Sequence, residues 1–430
     1  MSTGWPGKAG PYSRVSSPGS RLGAVPSRLG LGRPSPGSVR PRTGIGRPRT
    51  LRERMLAEES ALRHYDWVLL TAVLALSLFG TLLVWSATQP LEIAAGANPK
   101  TYLFKQLVNI VIGLALMVGV SMLDSRLLRV YAPVVYVASL LGLIAVLSPL
   151  GSTVNGAHAW LSLPAGFQVE PSEFAKLGLI LITAMIFGEL RDGDRRPKFR
   201  DVAVVFVCAG IPLALVMKEP ALGVTLVLFT ILVGMVVLSG IKLRWLALLA
   251  VGGACAGYLA KASHLLQPYQ VQRLTSFLNP NANPTGTGYS AAQAKIAIGS
   301  GGLTGQGLFH GQLVAGSFVP SQPTDFIFTV AGEELGFVGA AVIIALLAVV
   351  IVRALRIAAR ADDQFGLLAA SGIAIWFAVQ AFINIGMTIG IMPVTGLPLP
   401  FVSYGGSAMF ADMMAIGVLQ SIHRRHFVFS

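Results

Sequence analysis

The sequence predicts an all-α, polytopic membrane protein with about ten transmembrane helices. Its 430 residues are 53% apolar and only 12% charged, about half the charged fraction of a soluble domain. The apolar residues also fall in runs long enough to cross about 30 Å of hydrocarbon. The predicted spans are 67–86, 104–122, 130–147, 174–188, 202–217, 222–239, 243–259, 326–352, 367–391 and 408–422.

The distribution of basic residues predicts how these spans are oriented. The net charge of +14 comes largely from the N-terminal segment and from alternate loops, so it indicates membrane topology and not nucleic-acid binding. Lys and Arg cluster at 191–200 and 353–360, whereas 152–172 and 393–407 contain neither. Because basic loops stay on the cytoplasmic side, both termini are predicted to be cytoplasmic.

The predicted domain organisation has three parts. Residues 1–63 are rich in Ser, Gly, Pro and Arg and are expected to form a disordered, basic cytoplasmic tail. Residues 64–425 form the transmembrane domain, and 426–430 a short cytoplasmic tail. Within the domain, residues 261–324 form a long extracytoplasmic loop between spans seven and eight, and loops of this length are commonly functional.

The end of that loop carries a carboxylate, Asp325, directly before an apolar run. The residues alone leave two interpretations open. Asp325 caps the following helix, or it is an active-site acid where a membrane helix begins. Glu333 and Glu334 lie in the same run, roughly 12–14 Å deeper at a rise of about 1.5 Å per residue. They are expected to be structural and to pair with a buried partner such as Lys176.

Further polar residues lie near the predicted outer ends of the spans and are candidate binding residues. Glu173 and Lys176 have the spacing of an ion pair on one helix, and Lys218 and Glu219 also fit a short exposed turn before Pro220. No phosphate loop, zinc site or nucleophile elbow is recognisable. The candidates are Lys218, Glu219, Arg273, Lys295, Glu173, Lys176, Ser403 and Tyr404.

Several ordered motifs resemble the SEDS family, the shape, elongation, division and sporulation proteins. The match extends roughly from Trp67 to Arg425. The motifs that carry it are Asn155-Gly-Ala, Glu170-Pro-Ser-Glu-Phe-Ala-Lys-Leu177, Tyr269-Gln-Val-Gln-Arg273, Phe277-Leu-Asn-Pro280, Pro323-Thr-Asp-Phe-Ile-Phe328, Glu333-Glu-Leu-Gly336 and Gly396-Leu-Pro-Leu-Pro-Phe-Val-Ser-Tyr-Gly-Gly-Ser407.

The resemblance implies a ten-span, GT-C-like fold and a peptidoglycan glycosyltransferase that polymerises lipid II outside the cytoplasmic membrane of a bacterium. Asn384-Ile-Gly-Met387 is more similar to RodA than to FtsW, which implies a role in cell elongation. The implied partners are a class B penicillin-binding transpeptidase and membrane proteins of the elongation complex. The chain departs from the family at Ala221, commonly Asp, and at Glu170, more often Gln. Glu219 stands two residues from the missing acid.

For such an enzyme we expect an inverting displacement, in which an acceptor hydroxyl attacks a sugar linked to polyprenyl diphosphate. Asp325 is the candidate general base. Arg273, Lys295 and Lys218 are candidates for binding the diphosphate, with a divalent cation such as Mg²⁺ or Mn²⁺ supplying further positive charge. No organic cofactor is expected. Two alternatives are a transporter of lipid-linked precursors and a non-catalytic scaffold for the transpeptidase.

Overall fold

The fold is built mainly from long apolar helices. The structure is a computed structural model, which describes residues 65–154, 157–162, 168–189, 197–219, 221–241, 251–253 and 286–429, together with positions 245, 247, 273 and 277. The predicted tail 1–63 lies outside the described residues. The helices are α1 (Trp67–Ala94), α2 (Thr101–Met122), α3 (Ser125–Leu147), α4 (Pro171–Gly188), α5 (Phe199–Lys218), α6 (Leu222–Leu238), α7 (Thr287–Ser300), α8 (Gln312–Ala315), α9 (Ile327–Glu334), α10 (Gly336–Ala359), α11 (Gln364–Ile389) and α12 (Gly406–Phe429).

The helices confirm most predicted spans and correct two of them. The predicted span 326–352 is two helices, α9 and α10, because the chain turns at Leu335 and Gly336 adopts φ +66°, a conformation that glycine accepts at little cost. Helix α12 continues beyond the predicted span 408–422 to Phe429, so residues 426–429 of the predicted short tail are helical. The predicted span 243–259 lies largely outside the described residues, and the count of ten stays a prediction.

A small antiparallel sheet corrects the expectation of a purely helical chain. Strands β1 (Gly151–Val154), β2 (Ala157–Ser162) and β3 (Gln168–Val169) pair in the order β1-β2-β3. They occupy the segment between α3 and α4 that the sequence predicted as a loop. Their short polar and β-branched residues suit a half-buried strand but have no long apolar period, so the hydropathy pattern did not reveal them.

Helices α4 and α11 lie in the buried centre of the bundle. In α4 and α11 the most apolar windows are 78% and 72% buried, against 28% in α2, α3, α5 and α10. Small residues bring the helices close: a Cβ at Gly178 would lie 2.9 Å from Ser139 Oγ, and one at Gly372 would lie 2.9 Å from Ile180. Such close contact is typical of helix packing in membranes. The central helices therefore hold any polar residue they carry away from lipid.

Two polar contacts between α1 and the α9–α10 segment mark the two ends of the bundle. Asp66 pairs with Arg353 at 2.6 Å, and Ser86 donates to Glu334 Oε1 at 2.5 Å. Asp66 and Ser86 are separated by about 30 Å along the helix axis, which is about the thickness of the hydrocarbon. The Glu334 end also holds the loop that contains Asp325, and we call it the Asp325 end.

Candidate active site

Asp325 lies in the turn that precedes α9. Its backbone N–H donates to Ser321 O at 3.1 Å, and its side chain is partly buried. The N-cap of α9 is Phe326, which makes no side-chain capping bond. The interpretation of Asp325 as a helix cap is therefore wrong, and its carboxylate is available for another role.

The Asp325 carboxylate faces the loop between α11 and α12. A Cβ at Gly396 would lie 3.5 Å from Asp325 Oδ2 and 3.8 Å from Arg273 Nη1, so both charged groups border the same glycine. Arg273 Nη1 also donates to Thr395 O at 3.1 Å. Burial raises the pKa of Asp325 to about 6, against the opposing effect of Arg273. A carboxylate with this pKa is a stronger base than an ordinary Asp and is still ionised at neutral pH.

Asn384, which the sequence analysis did not select as a site residue, holds the two loops together. Its Nδ2 donates to Asp325 O at 2.8 Å and to Leu397 O at 2.7 Å. One turn earlier in α11, Gln380 Nε2 donates to Pro398 O at 2.9 Å. Both side chains are fully buried. Two amides at i,i+4 in an apolar span are the signal that could have identified them, since buried polar residues in membrane helices are commonly functional.

A fully buried ion pair lies behind this loop. Lys176 Nζ is 2.7 Å from Glu173 Oε2, which confirms the pair predicted from the spacing. Lys176 also donates to Gln380 Oε1 at 2.8 Å and lies 4.8 Å from the centre of the Trp376 ring. Glu173, Lys176, Gln380 and Trp376 have no exposed surface. These contacts stabilise the junction of α4 with α11, which fixes the loop next to Asp325.

Asp412 is a second residue that the sequence analysis missed. It is 1% exposed on α12 and lies close enough to Glu173 and Lys176 to interact with their charges. Its Oδ2 accepts a bond from Phe401 N at 3.3 Å. A lone acid in the predicted span 408–422 was the available signal, because an ionisable residue inside a membrane helix requires a partner.

Two further acids extend this cluster towards α5. Burial raises the pKa of Glu170 to about 7, with added repulsion from Glu173, and raises the pKa of Glu219 to about 8, with added repulsion from Glu170. Glu170 accepts from Ser172 Oγ at 2.7 Å. Glu219 is fully buried, and among the described residues neither of its carboxyl oxygens has a hydrogen-bond partner. Burial and mutual repulsion therefore favour the protonated form of both acids.

A cleft of ≈ 380 Å³ brings two of the predicted cations together. Arg273 and Lys295 both line it, together with the start of the 390–394 segment. Lys295 is exposed on α7 and lies against Gly390, where a Cβ would be 3.2 Å from Lys295 Cδ. Arg273 also borders Asp325 across Gly396, so it links the candidate base to a cleft that holds a second positive charge, Lys295.

The remaining predicted residues lie apart from this cleft or have structural contacts. Lys218 is exposed at the end of α5. Ser403 Oγ accepts from Leu399 N at 2.8 Å within its own turn. Tyr404 N donates to Pro323 O at 2.8 Å, and its ring packs edge-on against Tyr102. Ser403 and Tyr404 therefore shape the loops around Asp325.

The expected pairing of Glu333 and Glu334 with Lys176 is wrong, because Lys176 already contacts Glu173 and Gln380. Glu333 instead accepts from Leu313 N at 2.7 Å and Val314 N at 3.1 Å, and Glu334 accepts from Ser86. Both acids lie before α10, at the level where this helix begins and not deep within it. Both acids therefore have structural contacts, as predicted, but with other partners than Lys176.

The divalent cation expected from the chemistry has no complete set of protein ligands among the described residues. Within the part of the chain that the structure describes, no three His, Cys, Asp or Glu side chains converge to hold a metal ion. Arg273 and Lys176 are the cations beside these acids, and the pKa values of Asp325, Glu170 and Glu219 are all raised.

Comparison with known proteins agrees with this architecture. A family model for FtsW, RodA and SpoVE, described as cell cycle proteins, matches residues 66–427. The chain is 36% identical to a probable peptidoglycan glycosyltransferase FtsW of Trichlorobacter lovleyi, over 86% of this chain and 95% of that protein. It is also 36% identical to the peptidoglycan glycosyltransferase MrdB of Escherichia coli K12, over 84% and 94% of the two chains. These identities do not separate a RodA-like from an FtsW-like protein.

Solved structures share the fold. The rod shape determining protein RodA of Thermus thermophilus superposes with a TM-score of 0.60 at 28% identity, over 84% of this chain and 98% of that one. A chain of a peptidoglycan synthase complex, described as coordinating polymerization and crosslinking, gives a TM-score of 0.68 at 30% identity, with the same coverage. This multi-pass membrane protein therefore belongs to the FtsW/RodA/SpoVE family of cell cycle proteins, the SEDS family.

Proposed function

We propose that this chain polymerises lipid II into glycan strands at the outer face of the cytoplasmic membrane, with Asp325 as the general base. The observation that carries the proposal is a carboxylate of raised pKa, Asp325, that lies beside Arg273, which in turn lines a cleft together with Lys295. The relatives named as peptidoglycan glycosyltransferases support glycosyl transfer in cell wall synthesis over a transporter or a scaffold.

In this reaction Asp325 accepts the proton of the acceptor hydroxyl as its oxygen attacks the anomeric carbon. The bond from that carbon to the diphosphate oxygen breaks, and the configuration inverts in one displacement. Arg273 and Lys295 stabilise the negative charge that develops on the departing polyprenyl diphosphate. Arg273 also borders Asp325, so it keeps part of the base ionised while it binds the leaving group.

The orientation follows from the charge pattern. The Asp325 end faces the outside, where the peptidoglycan is built, and the opposite end with Arg353 and Arg425 faces the cytoplasm. We further propose that a class B penicillin-binding transpeptidase and membrane proteins of cell elongation are partners of this chain. The similarity to a chain of a peptidoglycan synthase complex supports the transpeptidase. Any Mg²⁺ or Mn²⁺ that the reaction uses is proposed to enter with the diphosphate.

The test compares Asp325→Asn with Asp362→Asn, a matched change on the exposed opposite end. Purified protein, with and without the partner and with and without EDTA, is incubated with lipid II, and the glycan strands are measured. Loss of a general base costs about 10²- to 10⁴-fold in rate, so Asp325→Asn should lose activity to that extent while Asp362→Asn stays normal. Near-normal strands from Asp325→Asn would refute the assignment.

The pH profile gives an independent readout. The carboxylate is the active form of the base, so the wild-type rate should rise with pH up to about 6, the pKa of Asp325, and then level off. The residual rate of Asp325→Asn should lack this rise. Lipid movement across vesicles without any strand formation would instead support a transporter.

A further inference from the structure

The base and the cation of the proposed reaction depend on two segments that lie far apart in the chain. Asp325 lies in the turn before α9, whereas Arg273 is attached to the loop between α11 and α12, since its Nη1 donates to Thr395 O at 3.1 Å. Glycosyl transfer needs the two groups at a fixed separation, because one acts on the acceptor hydroxyl and the other on the departing diphosphate. A contact that joins the turn to the loop therefore bears directly on the reaction.

Asn384 of α11 makes such a contact. Its Nδ2, which carries two hydrogens, donates to Asp325 O at 2.8 Å and to Leu397 O at 2.7 Å. Leu397 is two residues from Thr395, so one side chain and a short piece of backbone join the base to the anchor of Arg273. Asn384 is fully buried, so bulk water does not compete for these two bonds.

The orientation of the Asn384 amide is explained by these two bonds. Its Oδ1 is buried and has no hydrogen-bond partner among the described residues. Turning the amide over would place Oδ1 against the two carbonyl oxygens and leave both of them without their N–H donor. A buried amide with one unsatisfied atom calls for an explanation, and the link between the turn and the loop supplies one.

Gln380, one turn earlier on α11, supports the loop independently. Its Nε2 donates to Pro398 O at 2.9 Å. Its Oε1 accepts from Lys176 Nζ at 2.8 Å and from Trp376 Nε1 at 2.7 Å, which fixes the orientation of the amide. Because these bonds do not involve Asn384, we expect the loop to keep its place against α11 when Asn384 is replaced.

The turn that contains Asp325 also has support of its own. Asp325 N donates to Ser321 O at 3.1 Å, and Tyr404 N donates to Pro323 O at 2.8 Å. These bonds fix the shape of the turn, whereas Asn384 contacts the residue that carries the base. Loss of Asn384 should therefore displace Asp325 locally and leave the rest of the site in place.

We propose that Asn384 is a positioning residue for glycosyl transfer, which sets the separation between Asp325 and Arg273 by holding the turn against the loop. This role rests on the proposed function, in which Asp325 is the base. Loss of Asn384 lowers the rate of the chemical step but has little effect on substrate binding, since Arg273 and Lys295 still line their cleft.

The test replaces Asn384 by Leu, which has a similar shape but no N–H donor. The matched control is Gln420→Leu. Gln420 is also a fully buried amide that bonds to backbone, with Asp66 N at 2.9 Å and Asp66 O at 3.1 Å, but at the opposite end of the bundle. A displacement of about 1 Å in a reacting group costs about 10²-fold in rate. Asn384→Leu should therefore lower kcat for lipid II polymerisation by about 10²-fold and change KM by about threefold or less, whereas Gln420→Leu should leave both unchanged.

The pH profile separates positioning from a general loss of stability. Among the described residues, Arg273 and Glu170 are the charged groups that act on Asp325, and the Thr324 hydroxyl bonds to it. Asn384→Leu alters none of these groups, so a change in the profile reports on the burial of Asp325. Burial raises the pKa of Asp325 to about 6. A displaced turn lets water reach the carboxylate, so the rise of the rate with pH should move to lower pH.

A double variant tests whether Asn384 acts through Asp325. In the Asp325→Asn background, Asn384→Leu should lower the residual rate by less than about threefold, because the base is already absent. Near-normal activity of Asp325→Asn itself would refute the proposed function, and this single variant therefore distinguishes that failure from a failure of the role of Asn384.

Three results would overturn the role of Asn384 while Asp325 remains the base. The first is a kcat within about threefold of the wild type in both Asn384→Leu and Asn384→Ser; the Ser variant keeps one hydroxyl donor and decides the matter if the Leu variant does not fold. The second is a lowered rate with the pH profile of the wild type. The third is a loss in the double variant as large as the loss in the wild-type background.

Discussion

Replacing Lys176 by Met tests the buried ion pair at the centre of the bundle. The change keeps an unbranched side chain of similar length but removes the positive charge. Lys176 loses its contacts to Glu173 Oε2 at 2.7 Å and Gln380 Oε1 at 2.8 Å and its position against the Trp376 ring at 4.8 Å. Glu173 then stays fully buried without a cation, beside another acid, Asp412.

The expected cost follows from this arrangement. Removing one partner of a buried ion pair costs about 3–5 kcal/mol, because the other charge remains buried and unpaired. The repulsion between Glu173 and Asp412 places Lys176→Met in the upper part of that range. The double variant Glu173→Gln/Lys176→Met leaves no unpaired charge at the pair and should recover most of the loss.

The assay is denaturant unfolding of the detergent-solubilised protein, with the free energy of unfolding compared in a double-mutant cycle. Lys105→Met is the matched control, since Lys105 is exposed on α2 and its Nζ lies 5.2 Å from the centre of the Tyr102 ring. It should change stability by about 0.5 kcal/mol or less. A cost below about 1 kcal/mol for Lys176→Met, or a double variant as unstable as the single one, would refute the reasoning.

Two further predictions concern the acids and the cleft. Glu219→Gln should raise stability at neutral and higher pH. Burial raises the pKa of Glu219 in the folded protein from 4.5 to about 8, so the unfolded chain loses its proton first and the wild type becomes less stable as pH rises. The difference in the free energy of unfolding between the variant and the wild type should be absent below pH 4.5. It should grow by about 1.4 kcal/mol per pH unit up to about pH 8 and then stay constant. A difference that does not change with pH would contradict this prediction. Arg273→Gln should raise the KM for lipid II and lower the rate, whereas Arg360→Gln at the opposite end should change neither; unchanged kinetics in Arg273→Gln would remove it from the site.

The elements that depend on local sequence were predictable. Hydropathy located α1–α6, α11 and α12, with the largest differences at the ends of α1 and α12, which extend beyond the predicted spans, since burial in lipid requires an apolar helix of defined length. The i,i+3 spacing of Glu173 and Lys176 predicted their ion pair. The break at Gly336 was missed, because an apolar run continues across it and hydropathy does not report a change of backbone direction.

The candidate site was predictable only in part. Asp325 and Arg273 were selected from the sequence, and the resemblance to a family supplied most of the reason for choosing them. Asn384 and Asp412 were overlooked, although each is a polar residue in an apolar span. The contacts that give them a role join positions far apart in the chain, such as Asn384 with Asp325.

The sequence by itself determined the class of protein, the positions of most spans and the family, because hydrophobic length and ordered motifs are properties of consecutive residues. Only the tertiary structure decided which charges meet. It placed Arg273 beside Asp325 across Gly396 and put Lys176 with Gln380 and not with Glu334. It also left the Glu219 carboxyl buried with no hydrogen-bond partner in the part of the chain that is described. The reason is physical: the pKa and the partner of a buried charge depend on helix packing, which brings together residues that no local pattern relates.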